Sequence, residues 1–324
     1  MQISVHTVGG DPVVAFEAEP SWTLEHMLAY FPALGTPQGS RVRVLHGSVE
    51  VTSGKTLESV GVIDKATLTL VIEPPKWCVL TASDDNTARI WNATSGLCLH
   101  TLAVDSSRVS SVAFAPHGKL ALIASYCGTA KMWSVVSGKR LHTLEGHRGE
   151  IKSASFSHDS TLALTSSADC TAKIWKVGSV ACLHTLAGHG RPVNSAAFSP
   201  GSTLTITASD DGMARIWSAM SGECLHVLEG HGRMVNTASF SFDGALALTA
   251  SIDCSAKIWI VTSGECLYTL AGHSKPVFSA AFSPDGALAL TTSSDYTAKI
   301  WSVASGECLY TLAGHGKLVF SAAF

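Results

Sequence analysis

Six tryptophans, each separated from the next by 42 residues, constrain the fold of this chain more than any other feature. They are Trp91, Trp133, Trp175, Trp217, Trp259 and Trp301. A sustained period of about 40–45 residues indicates a repeated unit that cannot bury its hydrophobic face alone and must stack on its neighbours. We therefore predict that residues 76–324 form one array of similar units.

Each unit has the pattern of four short strands. In residues 276–313, apolar and β-prone stretches occupy 277–282, 287–293, 297–303 and 308–312. Residues 283–286 read Ser-Pro-Asp-Gly, a sequence typical of a tight turn, and Ser305-Gly306 separates the last two stretches. The pattern predicts a four-stranded antiparallel sheet for each unit.

Polar residues recur at fixed distances from the tryptophans. Gly-His pairs occur at 146–147, 188–189, 230–231, 272–273 and 314–315, serine stands eight residues before every repeat tryptophan, and aspartate stands six residues before five of them. On these positions the chain resembles the WD-repeat β-propeller family over about three-quarters of its length. The aspartate that follows tryptophan in the family name is missing from every unit. The resemblance implies a mainly β propeller, and the length of the array, close to six periods of 42 residues, implies a six-bladed one.

The resemblance also implies a hydrogen-bonded set within each blade, running from aspartate to histidine, from histidine to serine, and from serine to the tryptophan ring N–H. Such a chain can be buried because each polar group satisfies the next. The predicted members are His147, Ser167, Asp169 and Trp175; His189, Ser209, Asp211 and Trp217; His231, Ser251, Asp253 and Trp259; His273, Ser293, Asp295 and Trp301; and His315, Ser83, Asp85 and Trp91.

The same residue types could suggest a Ser-His-Asp hydrolase. A hydrolase needs this set once, with an exposed nucleophile and an oxyanion site, whereas here it recurs in successive units. The sequence has no Gly-x-Ser-x-Gly elbow and no CxxC pair. We therefore expect no catalytic residues, no cofactor, no metal and no small-molecule substrate.

The two ends of the array are complementary. The first unit begins at its second strand, at residues 77–83, and residues 317–324 match only a first strand. Pairing of these segments would close a ring of six blades, with His315 completing the set of Ser83, Asp85 and Trp91. The alternative is a truncated seven-bladed array. The Trp133 unit is defective, since Val104-Asp105 replaces Gly-His and Cys127 replaces the aspartate.

Residues 1–73 resemble ubiquitin, which implies a small α+β (β-grasp) domain, joined to the propeller by a linker at 74–76. The matching segments are the first eight residues, the Glu-Ala-Glu-Pro-Ser segment at 17–21, a helix over 23–30 and the segments at 56–58 and 67–71. Pro74-Pro75 follows instead of Gly-Gly, so the domain is not a transferable tag. The positions that match the apolar recognition face of ubiquitin are Val8, Val44 and Val71.

Composition narrows the partner class. The net charge is −3 and charged residues make up 15%, which is not the basic footprint that nucleic-acid binding needs. No apolar stretch reaches the roughly 18 residues of a membrane span, and no secretory signal is evident. We expect a cytoplasmic protein, with the nucleus as the alternative compartment. Five repeat cysteines, seven residues after a tryptophan, are expected to be small buried residues without disulfides.

The residues that vary between otherwise similar units predict the binding face. By the resemblance they lie at the top of the ring, and they combine apolar side chains with cations. They are Met234, Ile252, Pro276, Phe278, Leu318 and Phe320, with Arg191, Arg233, Lys275 and Lys317. The favoured function is a scaffold that binds other proteins; the alternative is a substrate receptor linked to a ubiquitin ligase or the proteasome.

Overall fold

The computed structural model describes residues 1–7, 12–23, 26–27, 41–51, 54–73, 78–104 and 107–324. The chain divides into two compact units, Met1–Trp77 and Cys78–Phe324. Both are built almost entirely of β-strands in their described parts. No helix in those parts is long and apolar enough to span a bilayer.

In the residues of unit 1 that the structure describes, the strands form one mixed five-stranded sheet. Its strands are β1 (Gln2–Thr7), β2 (Pro12–Glu17), β3 (Arg41–His46), β4 (Val49–Glu50) and β5 (Ala66–Glu73), and a 3-10 helix (Glu58–Val60) precedes β5. The order across the sheet is β2-β1-β5-β3-β4, with β1 and β5 parallel and the other pairs antiparallel. Ile3, Val5 and Leu68 form the centre of its hydrophobic core.

The sequence predicts that Val44 lies on an exposed recognition face, and this prediction is wrong. Val44 is fully buried in the core of unit 1 together with Val5 and Leu68. Because side chains alternate between the faces of a strand, a displacement of one residue exchanges the inner and outer positions. Leu45, which is half-buried and pairs with Thr69, therefore lies on the opposite face. Val8 and the side chain of Val71 lie outside the described residues.

The helix predicted over residues 23–30 is described only in part. The Met27 N–H donates a hydrogen bond to the Thr23 carbonyl at 3.2 Å, which is the spacing of one helical turn. The remainder of this prediction falls on residues outside the described ranges.

Unit 2 contains one three-stranded sheet followed by five four-stranded antiparallel sheets, which confirms the predicted repeat of four strands. The strands are, in chain order, β6 (Cys78–Ala82), β7 (Thr87–Asn92) and β8 (Cys98–Ala103); β9 (Val109–Phe114), β10 (Leu120–Ser125), β11 (Ala130–Ser134) and β12 (Arg140–Leu144); β13 (Ile151–Phe156), β14 (Leu162–Ser167), β15 (Thr171–Lys176) and β16 (Cys182–Ala187); β17 (Val193–Phe198), β18 (Leu204–Ser209), β19 (Ala214–Ser218) and β20 (Cys224–Leu228); β21 (Val235–Phe240), β22 (Leu246–Ser251), β23 (Ser255–Ile260) and β24 (Cys266–Ala271); and β25 (Val277–Phe282), β26 (Leu288–Ser293), β27 (Ala298–Ser302) and β28 (Cys308–Leu312).

The first strands of successive four-stranded sheets contact one another, so each sheet has its first strand innermost. Antiparallel pairing then divides the connections between two faces. We call one of these the upper face. It carries the loops that enter each first strand and the turns between the second and third strands. The lower face carries the turns between first and second strands and between third and fourth strands.

Hydrophobic side chains fill the space between neighbouring sheets. In one such cluster, Leu248, Ile258 and Leu270 of the sheet β21–β24 pack against Val277 and Trp301 of the next sheet. Equivalent clusters repeat along the array. Each sheet thus buries one face only when a neighbour covers it, as expected for a repeat architecture.

The predicted strand pairing between residues 319–324 and 77–83 is not formed in this structure. Residues 317–324 form no strand, and in the described part of the chain β6 pairs only with β7. The Val319 N–H donates to the Ser293 carbonyl at 3.1 Å, so the segment is held against the preceding sheet on one side. His315 is correspondingly exposed and does not complete the set of Asp85 and Trp91.

The repeat cysteines were wrongly predicted to be buried. Cys98, Cys182, Cys224, Cys266 and Cys308 are all exposed, and all nine cysteines are free thiols. Each of the five begins the last, outermost strand of its sheet, where its thiol lies near the carbonyl two residues further along the chain. The outer position of that strand explains the exposure.

Candidate functional site

The recurring polar residues form nearly identical buried networks in four sheets. In the third of them, His231 Nδ1 lies 2.8 Å from Asp253 Oδ2, and His231 Nε2 lies 2.8 Å from the Thr249 hydroxyl. The Trp259 ring N–H donates to the same hydroxyl at 2.8 Å. The equivalent distances in the sets of His147, His189 and His273 fall between 2.8 and 2.9 Å.

The link between histidine and tryptophan is a threonine, not the predicted serine. Thr165, Thr207, Thr249 and Thr291 stand ten residues before their tryptophans. Ser251 lies two residues further along the strand, where its hydroxyl donates to the Met234 carbonyl at 2.8 Å and accepts the Asp253 N–H at 3.1 Å. The serine therefore fixes the upper turn, while the threonine joins the two rings.

Burial lowers the pKa of His147, His189, His231 and His273, because desolvation disfavours the charged ring. Burial opposes ionisation of Asp169 as well, but hydrogen bonds from Thr171, the Arg148 N–H and His147 outweigh it and lower the pKa of Asp169 to about 2. Each pair is thus a neutral histidine beside a carboxylate. The four histidine side chains are at most 1% exposed, so none can reach a substrate in solution.

These pKa shifts predict that unit 2 loses stability as the pH falls. The network histidines, with an ordinary pKa of 6.5, and the network aspartates, with an ordinary pKa of 3.8, all have lower pKa values in the folded state, so the unfolded state binds more protons below neutrality. Their stabilising contribution should be complete above about pH 7 and decrease progressively toward pH 4. Urea unfolding followed by tryptophan fluorescence at pH 7, 5.5 and 4 measures this. A free energy of unfolding that is constant or rises as the pH is lowered over that range would contradict the assignment.

Two units lack the complete network. In the Trp133 unit, Ile123 replaces the threonine, and the buried Trp133 ring N–H has no hydrogen-bond partner among the described residues. Cys127 instead lies 2.9 Å from the Ser125 hydroxyl. In the first unit, the Trp91 ring N–H donates to Thr81 at 2.8 Å without a histidine.

The upper face brings several of the predicted binding residues together. Arg191, Arg233, Met234 and Ile252 line one shallow cavity of about 450 Å³ between neighbouring sheets, with Asp210 on its wall. Asp210 accepts a hydrogen bond from the Asn194 amide at 2.7 Å, which ties it to β17. The cavity therefore combines an exposed thioether with two cations and the two carboxylates of Asp210 and Asp211.

A second apolar element lies on the upper face of the last sheet. The rings of Phe278 and Phe320 stack with centroids 5.2 Å apart, and Phe320 is 65% exposed. Lys275 lies over the Tyr296 ring with its Nζ atom 5.0 Å from the centroid. An aromatic pair beside a cation on the surface is the composition of a protein-binding patch.

The remaining residues predicted for the upper face belong neither to the cavity nor to the aromatic pair. Leu318 and Lys317 are exposed and Pro276 is half-buried. The Pro276 carbonyl accepts the Ser294 N–H at 3.0 Å and thereby shapes the upper turn. Sequence reasoning missed Asp210 and Tyr296, which precede and follow the turn aspartate of their units.

Comparison with known families identifies the repeat. The family model described as "WD domain, G-beta repeat" matches residues 96–134, 138–176, 180–218, 222–259 and 264–302, together more than half of the chain. A comparison with curated proteins finds no matching relative.

Proposed function

This chain belongs to the WD domain, G-beta repeat family, and we propose that it is a non-catalytic scaffold whose upper face binds a protein partner. Repeats of this family generally mediate protein–protein interactions, and its members are typically non-catalytic. The observation that carries the proposal is the stacked pair of Phe278 and Phe320. Phe320 is largely exposed, and an aromatic ring at the surface can anchor a protein partner that buries it.

Cationic side chains also favour protein binding at the upper face. Arg191, Arg233 and Lys275 lie beside the apolar residues, and charges at the rim of an interface steer the encounter and select the partner more than they add affinity. The expected partner therefore presents an apolar segment flanked by charged residues.

Affinity purification with mass spectrometry tests this function. The wild-type chain and the variant carrying Phe278→Ala and Phe320→Ala should be expressed at equal levels in the same cells. A protein recovered with the wild type and lost with the variant supports the proposal, whereas identical recovery contradicts it. Cullin or proteasome subunits among the proteins lost would favour the substrate-receptor alternative.

We also propose that the repeat array closes into six blades. The two end sheets leave uncovered the faces that all other sheets bury: Leu312 is 47% exposed where Leu270 is buried, and Val79 is 47% exposed where Ala289 is buried. Residues 319–324 read Val-Phe-Ser-Ala-Ala-Phe, the same sequence as β25, which pairs with β26. The equivalent partner of residues 319–324 is β6.

Removing residues 317–324 should then lower the melting temperature by about 4 °C or more, since a domain of this size shifts by roughly 2–4 °C per kcal/mol and a strand contributes several contacts. Hydrogen exchange supplies the local measurement. The amides of Cys78–Ala82 should be protected in the full chain and exchange faster in the shortened one. Equal exchange in both would mean that the two ends do not pair.

The sheet of unit 1 supports a ubiquitin-like domain as part of the proposal. Its parallel central strands β1 and β5, flanked by β2 and β3, follow the β-grasp order. Such a domain would give the scaffold a second contact surface. With Val44 buried, Leu45 is the apolar residue of β3 that this surface would use.

A further inference from the structure

The lower face of unit 2 contains an apolar cavity that the proposed function does not use. It has a volume of about 490 Å³ and lies where the first strands of three sheets end. Its lining includes the aromatic and proline side chains of Phe198, Phe240, Phe282, Pro200, Phe242, Pro284 and Phe324, and also His158.

Phe242 makes this cavity unusual among the lower turns. It is 71% exposed, and the equivalent positions of the flanking sheets hold Pro200 and Pro284. Ser239 also lines the cavity, and its buried hydroxyl has no hydrogen-bond partner among the described residues. The cavity therefore offers apolar walls and an uncovered ring.

The turns of the lower face carry carboxylates. The six turns at 199–203, 219–223, 241–245, 261–265, 283–287 and 303–307 contain five acidic residues and no lysine or arginine. The acidic residues are Glu223, Asp243, Glu265, Asp285 and Glu307. Within the described part of the chain none of the five forms an ion pair.

The turn geometry keeps the aspartates charged and leaves part of each carboxylate open. Asp243 Oδ1 accepts the Ser241 hydroxyl at 2.6 Å and the Ala245 N–H at 3.0 Å, and these bonds hold the pKa of Asp243 below its usual value. Hydrogen bonds from Ser283 and the Ala287 N–H lower the pKa of Asp285 in the same way. In both residues Oδ2 has no partner among the described residues.

The lower face differs in charge from the upper face of the same sheets. The upper loops and turns mix the cations Arg191, Arg233 and Lys275 with carboxylates such as Asp210 and Asp211, while the only charged groups of the lower turns are carboxylates. A basic segment is therefore favoured on the lower face, since opposite charges across an interface promote association. The lower face is therefore a separate surface with its own partner chemistry.

We propose that the lower face of the sheets from β17 to β28 binds a basic peptide segment, with an aromatic or aliphatic side chain in the cavity beside Phe242 and flanking lysine or arginine residues on Asp243 and Asp285. Charge complementarity and the unfilled apolar cavity together define this occupant. The inference is independent of the partner on the upper face.

A displayed library of random 12-residue peptides, selected against the full chain, tests the proposal. Enriched sequences should contain lysine or arginine on both sides of an aromatic or aliphatic residue. A synthetic peptide of the enriched sequence, measured by fluorescence anisotropy, should bind about tenfold or more weakly to the Phe242→Ala variant, as expected when one apolar anchor is truncated. Its affinity should also decrease with salt.

Matched variants separate this surface from others. The double change Asp243→Asn and Asp285→Asn keeps an oxygen for the turn hydrogen bonds and removes only the charge, so it should weaken binding and flatten the salt dependence. Phe278→Ala with Phe320→Ala should leave the peptide affinity unchanged. Enrichment of acidic peptides, or binding that ignores the lower-face variants, overturns the proposal. Self-association that the Asp243→Asn and Asp285→Asn change abolishes would also overturn it, by assigning the face to a second copy.

Discussion

Replacing Thr249 with valine is expected to lower the free energy of unfolding of unit 2 by roughly 2–5 kcal/mol, because two buried groups lose their partner at once. The Asp253 carboxylate can only accept, so His231 Nδ1 carries the proton and Nε2 accepts the Thr249 hydroxyl proton. The same oxygen accepts the Trp259 N–H. Valine keeps the shape of the residue but removes both hydrogen bonds.

Thr205 provides a matched control for this change. It is fully buried on the second strand of the neighbouring sheet, and its hydroxyl has no hydrogen-bond partner among the described residues. Thr205→Val should therefore be neutral or stabilising in urea unfolding. Equal losses in the two variants would show that the Thr249 hydroxyl does not organise the network.

The double change Phe278→Ala and Phe320→Ala is expected to weaken binding of the upper-face partner by about tenfold or more, which corresponds to roughly 1.4 kcal/mol or more. Titration calorimetry with the purified partner measures the affinity. The melting temperature should change little, because Phe320 is 65% exposed and its stacking partner is only half-buried. Phe242→Ala on the lower face is the control, and should retain full affinity.

Two other outcomes would be informative. If the double variant unfolds, the two rings belong to the core of the last sheet. If it keeps both its stability and its affinity, the partner binds elsewhere and the upper-face assignment is wrong.

The strand pattern was predictable because it depends on local sequence. Alternating apolar residues and the Ser-Pro-Asp-Gly turn placed β25 at residues 277–282, as the structure has it, and β26 within one residue. The exposure of the cysteines was not predictable in this way. Cys266 has the same local sequence context whether its strand is innermost or outermost, and only the stacking order of the sheets decides its exposure.

The threonine of the network was visible in the sequence but could not be distinguished from a strand residue. Threonine favours strands in any case, so its recurrence at ten residues before tryptophan had two explanations. The Trp133 unit contained the discriminating signal, because Ile123 replaces threonine in the same unit that lacks the Gly-His pair and the aspartate. Joint loss of the three positions indicates one network.

The candidate surfaces were predictable in part. The upper-face residues stood out because they vary between otherwise similar units just after each repeat histidine and just before each turn aspartate, and the rings of Phe278 and Phe320 prove to be stacked. The lower cavity was not predicted, since it arises from Pro200, Phe242 and Pro284, which lie in separate turns and converge only through the stacking of three sheets.

Hydrogen–deuterium exchange of the chain, alone and with its affinity-purified partner, tests the scaffold function most directly. We expect slower exchange on binding in the upper loops at residues 232–236, 274–278 and 316–320, with the lower turns at 241–245 and 283–287 unchanged. Protection confined to the lower turns or to unit 1 would contradict it.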